Sequence, residues 1–291
     1  MVLMLVSLVV TGIYGLNFGV DFKGGSVLEV KFGDPVPSVQ EVTDALKKTS
    51  IPALSEMTLS SATDGVVVVR AGQLSQPEHE QIMGMLTGSF GASQPTQVRF
   101  DSIGPSVGAE LKDKSLTAIS IVLVAVVLYI ALVFRAMRRV LSPWVMSGAA
   151  IVALVHDIVI PVGLFAWLGH AYDVHINAVF VAAILTILGY SISDTVVIFD
   201  RVRENILRGV QGSFGEVVHL SVMQTLVRSL NTTLTTLISL VAIYLFGGES
   251  IRMFALALIV GIGLGAYSSI FVATPLLVWF GKTRQSGAVG K

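Results

Sequence analysis

Six apolar runs divide this chain, and the longer ones are sized to cross a lipid bilayer. About 20 consecutive apolar residues traverse the hydrocarbon core as a helix, which satisfies every backbone polar group internally. The runs are 1–16, 115–134, 144–168, 175–199, 229–246 and 253–280. Composition agrees, because 53% of the 291 residues are hydrophobic and 13% are charged, where soluble domains carry about 25% charged residues. The sequence therefore predicts a polytopic α-helical membrane protein with six transmembrane helices. Net charge is zero, so nothing favours nucleic acid as a partner, and without cysteine there is no disulfide framework or thiolate metal site. The first run is short and lacks the basic flank of a secretory signal peptide. Residues 1–17 accordingly read as an anchor helix, shortened at its start.

Positive charge near the spans sets orientation. Arg135, Arg138 and Arg139 follow span two, Arg201, Arg203, Arg208 and Arg228 lie between spans four and five, and Lys282, Arg284 and Lys291 fill the tail 282–291. The opposite short loops, 169–174 and 247–252, hold only Arg252. Both termini are expected in the cytoplasm, with residues 18–112 on the extracytoplasmic side and 113–281 forming spans two to six.

Residues 18–112 form the water-soluble part. Alternation predicts strands at 27–32, 56–61, 66–70 and 96–103, the middle pair turning at Thr63-Asp64-Gly65. Helices are expected at 38–49 and 75–90, where Ser38 with Glu41 and Ser75 with Glu78 make capping-box patterns. The order β-α-β-β-α-β is that of a ferredoxin-like α+β domain, a fold that does not identify a function. The domain has eleven acidic and seven basic residues, a net of −4, and no catalytic constellation. Lys23-Gly24-Gly25-Ser26 departs from the phosphate-loop pattern and reads as a tight exit from helix one.

Within spans two to six only Asp157 and Asp194 are formally charged, with Arg228 at the start of span five. A lone acid in a transmembrane helix costs roughly 3 kcal/mol on insertion scales and suggests a functional site. Ser221, Gln224, Arg228, Asn231, Thr232, Thr235 and Ser239 recur at steps of three and four, which makes one polar stripe about 27 Å long. In span four, Thr186, Tyr190, Ser193 and Asp194 form a shorter polar face. These faces are expected to pack together, so that Asp194 meets Arg228 directly or through water. The connector 200–220 is expected along the cytoplasmic surface, which would put Asp194 in the cytoplasmic half of its span. Burial favours a neutral carboxyl and a guanidinium favours the carboxylate, so a moving pair would couple protonation to shape, while a fixed pair would only pin two helices. Asp157, beside His156 and four residues before Pro161, suits a proton relay or a local hydrogen-bonding role equally. The histidines match no zinc spacing, and no cofactor is expected. In span six, Gly261, Gly263 and Gly265 suit close packing or helix sliding.

Two stretches carry a family resemblance. Gly19-Val20-Asp21-Phe22-Lys23-Gly24-Gly25 resembles the signature shared by the SecD/SecF protein-export membrane proteins. Gly189-Tyr190-Ser191-Ile192-Ser193-Asp194-Thr195-Val196-Val197, continued by Phe199-Asp200-Arg201-Val202-Arg203-Glu204-Asn205, resembles the most characteristic stretch of the SecF branch. Gln224-Thr225-Leu226-Val227-Arg228-Ser229 and Leu245-Phe246-Gly247-Gly248 extend the likeness over essentially the whole chain. It departs from the pattern at Ser193, where some relatives have asparagine, and in the missing cytoplasmic leader. The resemblance implies a non-enzymatic subunit of the cell inner membrane, related to the RND superfamily. Its implied partners are SecD, the SecYEG translocon, the translocating polypeptide and protons. It further implies that Asp194 and Arg228 serve proton movement and that Gly19, Asp21, Phe22, Gly24 and Gly25 are the signature, while the polar faces and the buried acid add Asp157, Tyr190, Ser193, Gln224, Asn231, Thr232 and Thr235 as secondary candidates. A proton-driven exporter of lipids or small molecules and a non-conducting translocon scaffold are the alternatives.

Overall fold

The computed structural model describes residues 1–135 and 142–288. Arg138, Arg139 and Lys291, and the side chains of Lys282 and Arg284, lie outside the described residues. After an apolar helix α1 (Val2–Tyr14), the chain forms α2 (Val20–Lys23), β1 (Gly25–Lys31), α3 (Val39–Leu46), β2 (Thr58–Ser61), β3 (Val66–Ala71), α4 (Gln76–Ser89) and β4 (Thr96–Ile103). Long helices follow: α5 (Pro105–Val133), α6 (Pro143–Tyr172), α7 (Ala178–Leu207), α8 (Phe214–Phe246) and α9 (Glu249–Ser268). A π-turn, Ser269–Ala273, leads from α9 into α10 (Thr274–Ala288). Two compact units result: Phe18–Leu116 with His175–Ala178, and Met1–Asn17 with Thr117–Val174 and Val179–Lys291.

In the first unit the strands make one sheet in the order β2-β3-β1-β4, with every neighbouring pair antiparallel. Alternate residues of β1 and its exit, Leu28, Val30 and Phe32, are buried with Val67 and Val69 of β3. Val42 and Leu46 of α3 and Ile82 and Leu86 of α4 complete this core. Both helices start at capping boxes. The Ser38 backbone N–H donates to Glu41 Oε2 at 2.8 Å, and the Ser75 N–H donates to Glu78 Oε2 at the same distance. The Ser38 backbone and then its hydroxyl hold the Glu41 carboxyl below its ordinary pKa. Because the folded pKa is the lower one, the box contributes stability above the usual carboxylate range and loses it as pH falls through the folded pKa. Ile82 is fully buried at the centre of the core, so Ile82→Ala is expected to destabilise this unit by about 3 kcal/mol, read as a lower melting temperature.

The second unit is helical. Among the described residues five helices are long and apolar enough to span a membrane: Pro105–Val133, Pro143–Tyr172, Ala178–Leu207, Phe214–Phe246 and Ile251–Gly281. Helix α1 has 13 residues, a rise of about 20 Å against a hydrocarbon core of about 30 Å. It lies close against α6, where a Cβ on Gly163 would meet Ser7 Cβ at 2.4 Å, and Tyr14 stacks on His170 at 4.2 Å. Ile130 and Phe134 pack with Met146, Ala149, Ala150 and Ala153 of α6, Phe199 and Val202 of α7, and Phe214 and Val218 of α8. The small alanines let the helix backbones approach.

The connector differs from expectation. Helix α7 runs on to Leu207 and α8 already begins at Phe214, so six residues, 208–213, join them. Ion pairs Arg203–Asp200, Arg201–Glu204 and Arg208–Glu204 sit at helical spacing and carry α7 beyond its apolar part. Asn205 then ties the two helices, donating to Ser221 Oγ at 2.8 Å and to Gln224 Oε1 at 3.0 Å. Asp194 consequently lies near the middle of a 30-residue helix.

Candidate functional site

Helix α7 buries Ile187, Ser191, Asp194, Thr195 and Ile198 on one side. That side serves two neighbours, so its polar residues fall into two groups. Ser191 and Thr195 turn towards α6, α9 and the π-turn, and Asp194 turns towards α8.

In the first group Asp157, on α6, is fully buried. Its Oδ2 accepts from Ser191 Oγ and from Ser268 Oγ, each at 2.6 Å, and its Oδ1 lies 3.0 Å from His156 Nδ1. One turn along, Thr195 Oγ1 and Ser269 Oγ are 2.9 Å apart. These bonds need close helices, and glycine provides the space. A Cβ on Gly261 would lie 2.2 Å from Ile187 Cδ1, and one on Gly265 would lie 3.1 Å from Ser191 Cβ. The π-turn begins where α9 meets this group. Thr274 Oγ1 donates to the Ser269 carbonyl at 2.6 Å, satisfying a carbonyl at the wide turn.

In the second group Asp194 Oδ1 accepts a short hydrogen bond from Ser229 Oγ. Its Oδ2 is buried and has no hydrogen-bond partner among the described residues. Tyr190 OH reaches Thr233 Oγ1 at 3.4 Å. Asp194 therefore bonds directly to Ser229, the residue after Arg228, and not directly to Arg228. Successive helix residues are about 100° apart. With Ser229 turned inward, Arg228 points outward, exposed, along a cleft of about 340 Å³ shared with Tyr129, Asp200, Arg201, Glu204 and Gln224.

Most of the expected stripe shares this fate, Ser221 excepted. Gln224, Asn231, Thr232, Thr235 and Ser239 are exposed on α8, as are Thr186 and Ser193 on α7. The buried polar row of α8 starts at the same Ser221 and continues through Thr225, Ser229 and Thr233. Its signal was present as small hydroxyl residues at an unbroken step of four, which keeps one helix face. The signature residues lie elsewhere, in the first unit. Gly19 N–H donates to the Ile176 carbonyl at 2.7 Å, Asp21 Oδ2 accepts from the Ala178 N–H at 2.8 Å, and Phe22 is buried.

Comparison with known proteins gives one consistent match. Residues 84–283 match the family described as protein export membrane protein SecD/SecF, C-terminal, and residues 9–36 match the SecD/SecF GG motif. The protein translocase subunit SecF of Thermobaculum terrenum is 40% identical over 276 residues, covering 91% of this chain and 85% of that protein. The protein translocase subunit SecDF of Brucella abortus is 36% identical over 94% of this chain, which spans 35% of its length. The crystal structure of SecDF, a translocon-associated membrane protein from Thermus thermophilus, superposes with a TM-score of 0.81 at 31% identity. That match covers 97% of this chain and 37% of the SecDF chain. The chain belongs to the SecD/SecF family of protein export membrane proteins, with the SecF proteins among its relatives.

Proposed function

We propose that this chain is a SecF subunit that works with SecD to drive polypeptide translocation with the proton gradient, on the extracytoplasmic side of the inner membrane. Asp194 is the proton carrier. The observation that carries this reading is its half-held carboxylate, mid-helix, with Ser229 on one oxygen and, among the described residues, no partner on the other. Asp157, by contrast, has partners on both oxygens, which supports a brace between helices rather than a carrier.

Arg228 is the countercharge of a second arrangement. A turn of α8 by about 100° would exchange Ser229 for Arg228 in front of Asp194. A carboxyl facing a hydroxyl and one facing a guanidinium differ in the proton they hold. Each elementary charge crossing 100 mV is worth about 2.3 kcal/mol, enough to bias such a turn.

SecD is the proposed partner, because relatives carry a matching segment within a longer SecDF chain. Exposed Arg228 and Asn231 on α8 support a protein or wet neighbour there, since lipid offers them nothing. SecYEG and the emerging polypeptide complete the partners. Six spans, with α1 as the first, both termini cytoplasmic, and a ferredoxin-like reading of residues 18–112 belong to the same proposal.

The test is export into inverted vesicles depleted of the subunit, with and without this chain and SecD. Added protein is expected to raise export only while a proton gradient is present. Equal stimulation after the gradient is collapsed would favour the scaffold. In the same membranes Asn231→Cys, on the exposed face of α8, should crosslink to SecD.

A further inference from the structure

The segment 18–25 does more than leave helix one. It touches the sheet and the first turns of two long helices. Phe18 and Ile176 form a parallel bridge, and the Gly19 N–H donates to the Ile176 carbonyl at 2.7 Å. Two residues on, Asp21 Oδ2 accepts from the Ala178 N–H at 2.8 Å. Ala178 is the first residue of α7, and α7 has no acidic side chain in its own first turn. Asp21 thus supplies from a distant part of the chain the anionic cap that a helix start favours.

The other end of the segment holds α5. Gly24 has φ +79°, and a Cβ there would lie 2.7 Å from Pro105 Cα. A Cβ on Gly108 would lie 2.9 Å from the Gly24 nitrogen. Gly25 has φ +123° and abuts the Ala71 carbonyl of β3 at 2.7 Å from its Cβ position. Lys112 Nζ lies 5.0 Å above the Phe18 ring, which meets Phe22 edge-on. Any side chain at Gly24 or Gly25 would open this joint.

We propose that Asp21 is a positioning residue for Asp194, fixing the first residue of α7. This rests on the proton-carrier reading of Asp194. The distance along the helix is 16 residues, about 24 Å, and a continuous helix transmits a displacement of its end. Asp21 makes no contact with the proton. Its effect is on where α7 stands.

The experiment uses the full chain with SecD. It reads gradient-driven export in vesicles and amide hydrogen exchange at residues 182–186, the first amides bonded within α7. Asp21→Ala is expected to speed that exchange and slow gradient-driven export, each about tenfold, the scale of a lost charged cap. Exchange in β1 and β3 and export without the gradient stay unchanged. Asp21→Asn keeps an acceptor oxygen and should restore both readouts to within about twofold. Ala178→Pro removes the donor at a position where proline suits a helix start, and should match Asp21→Ala with no further loss in the double variant. It also tests the bond if Asp21→Ala does not accumulate. Unchanged exchange in both variants, wild-type export despite faster exchange, or no recovery in Asp21→Asn overturns the role of Asp21. If Asp194→Asn still loses export in those cases, the carrier reading survives. Wild-type export in Asp194→Asn removes both.

Discussion

Asp194→Asn is expected to reduce gradient-driven export to the level seen without the subunit, while the protein still inserts and pairs. Asparagine matches aspartate in shape, and its carbonyl oxygen can accept the Ser229 hydroxyl in place of Oδ1. Its amide would occupy the site of Oδ2, where no protein group is displaced. The stability change should therefore stay within about 1 kcal/mol, the net worth of an ordinary hydrogen bond. What asparagine cannot do is take up and release a proton. Parallel measurements of export, proton flux and co-purification with SecD decide the matter. Retained flux with normal assembly would remove Asp194 from the carrier role and leave a scaffold as the better account.

Asp157→Ala should fail differently, by loosening the bundle. The substitution strands His156 and Ser191, both buried, and leaves Ser268 only the Gly265 carbonyl of its own helix at 3.2 Å. Hydrogen bonds between membrane helices average only about 0.6 kcal/mol, but a buried group left without a partner costs about 1–3 kcal/mol. Two such groups predict a loss of about 2 kcal/mol or more, visible as a lower melting temperature in detergent and a lower yield with SecD. Asp157→Asn should be mild, since the serine hydroxyls can rotate to face the amide. Export in that variant is expected within about threefold of wild type, the range of a bond's net energy. An assembled Asp157→Asn protein without gradient-driven export would instead make Asp157 part of a relay.

The long spans and capping boxes were legible because hydropathy and Ser-x-x-Glu spacing are local properties. The contact of Asp194 was not. Polarity marked Gln224, Arg228, Asn231, Thr232, Thr235 and Ser239 as residues in need of partners, yet three of them are satisfied by their own helix. Thr232 donates to the Arg228 carbonyl, Thr235 to the Asn231 carbonyl and Ser239 to the Thr235 carbonyl. Such residues can face outward at little cost, so the stripe does not point inward. The quieter row through Ser229 does, because small hydroxyls let α8 approach α7. The connector was misread for a related reason. Its polarity set the connector at 200–220 along the membrane surface, but the spacing of its charges makes three ion pairs along a helix.

The wide turn at Ser269–Ala273 acts on the phase of the last span. A π-turn takes in one more residue than an α-turn, so side chains after it are offset by about 100° from the faces they would otherwise occupy. Ser268 and Ser269 can then aim at Asp157 and Thr195 while Leu277, eight residues further on, still meets the apolar core. A strictly regular helix could not serve both neighbours with this sequence. A related span without the turn should therefore align with this one only after a single-residue gap near 269–273, and deleting one residue there should disturb one set of contacts while the other is kept.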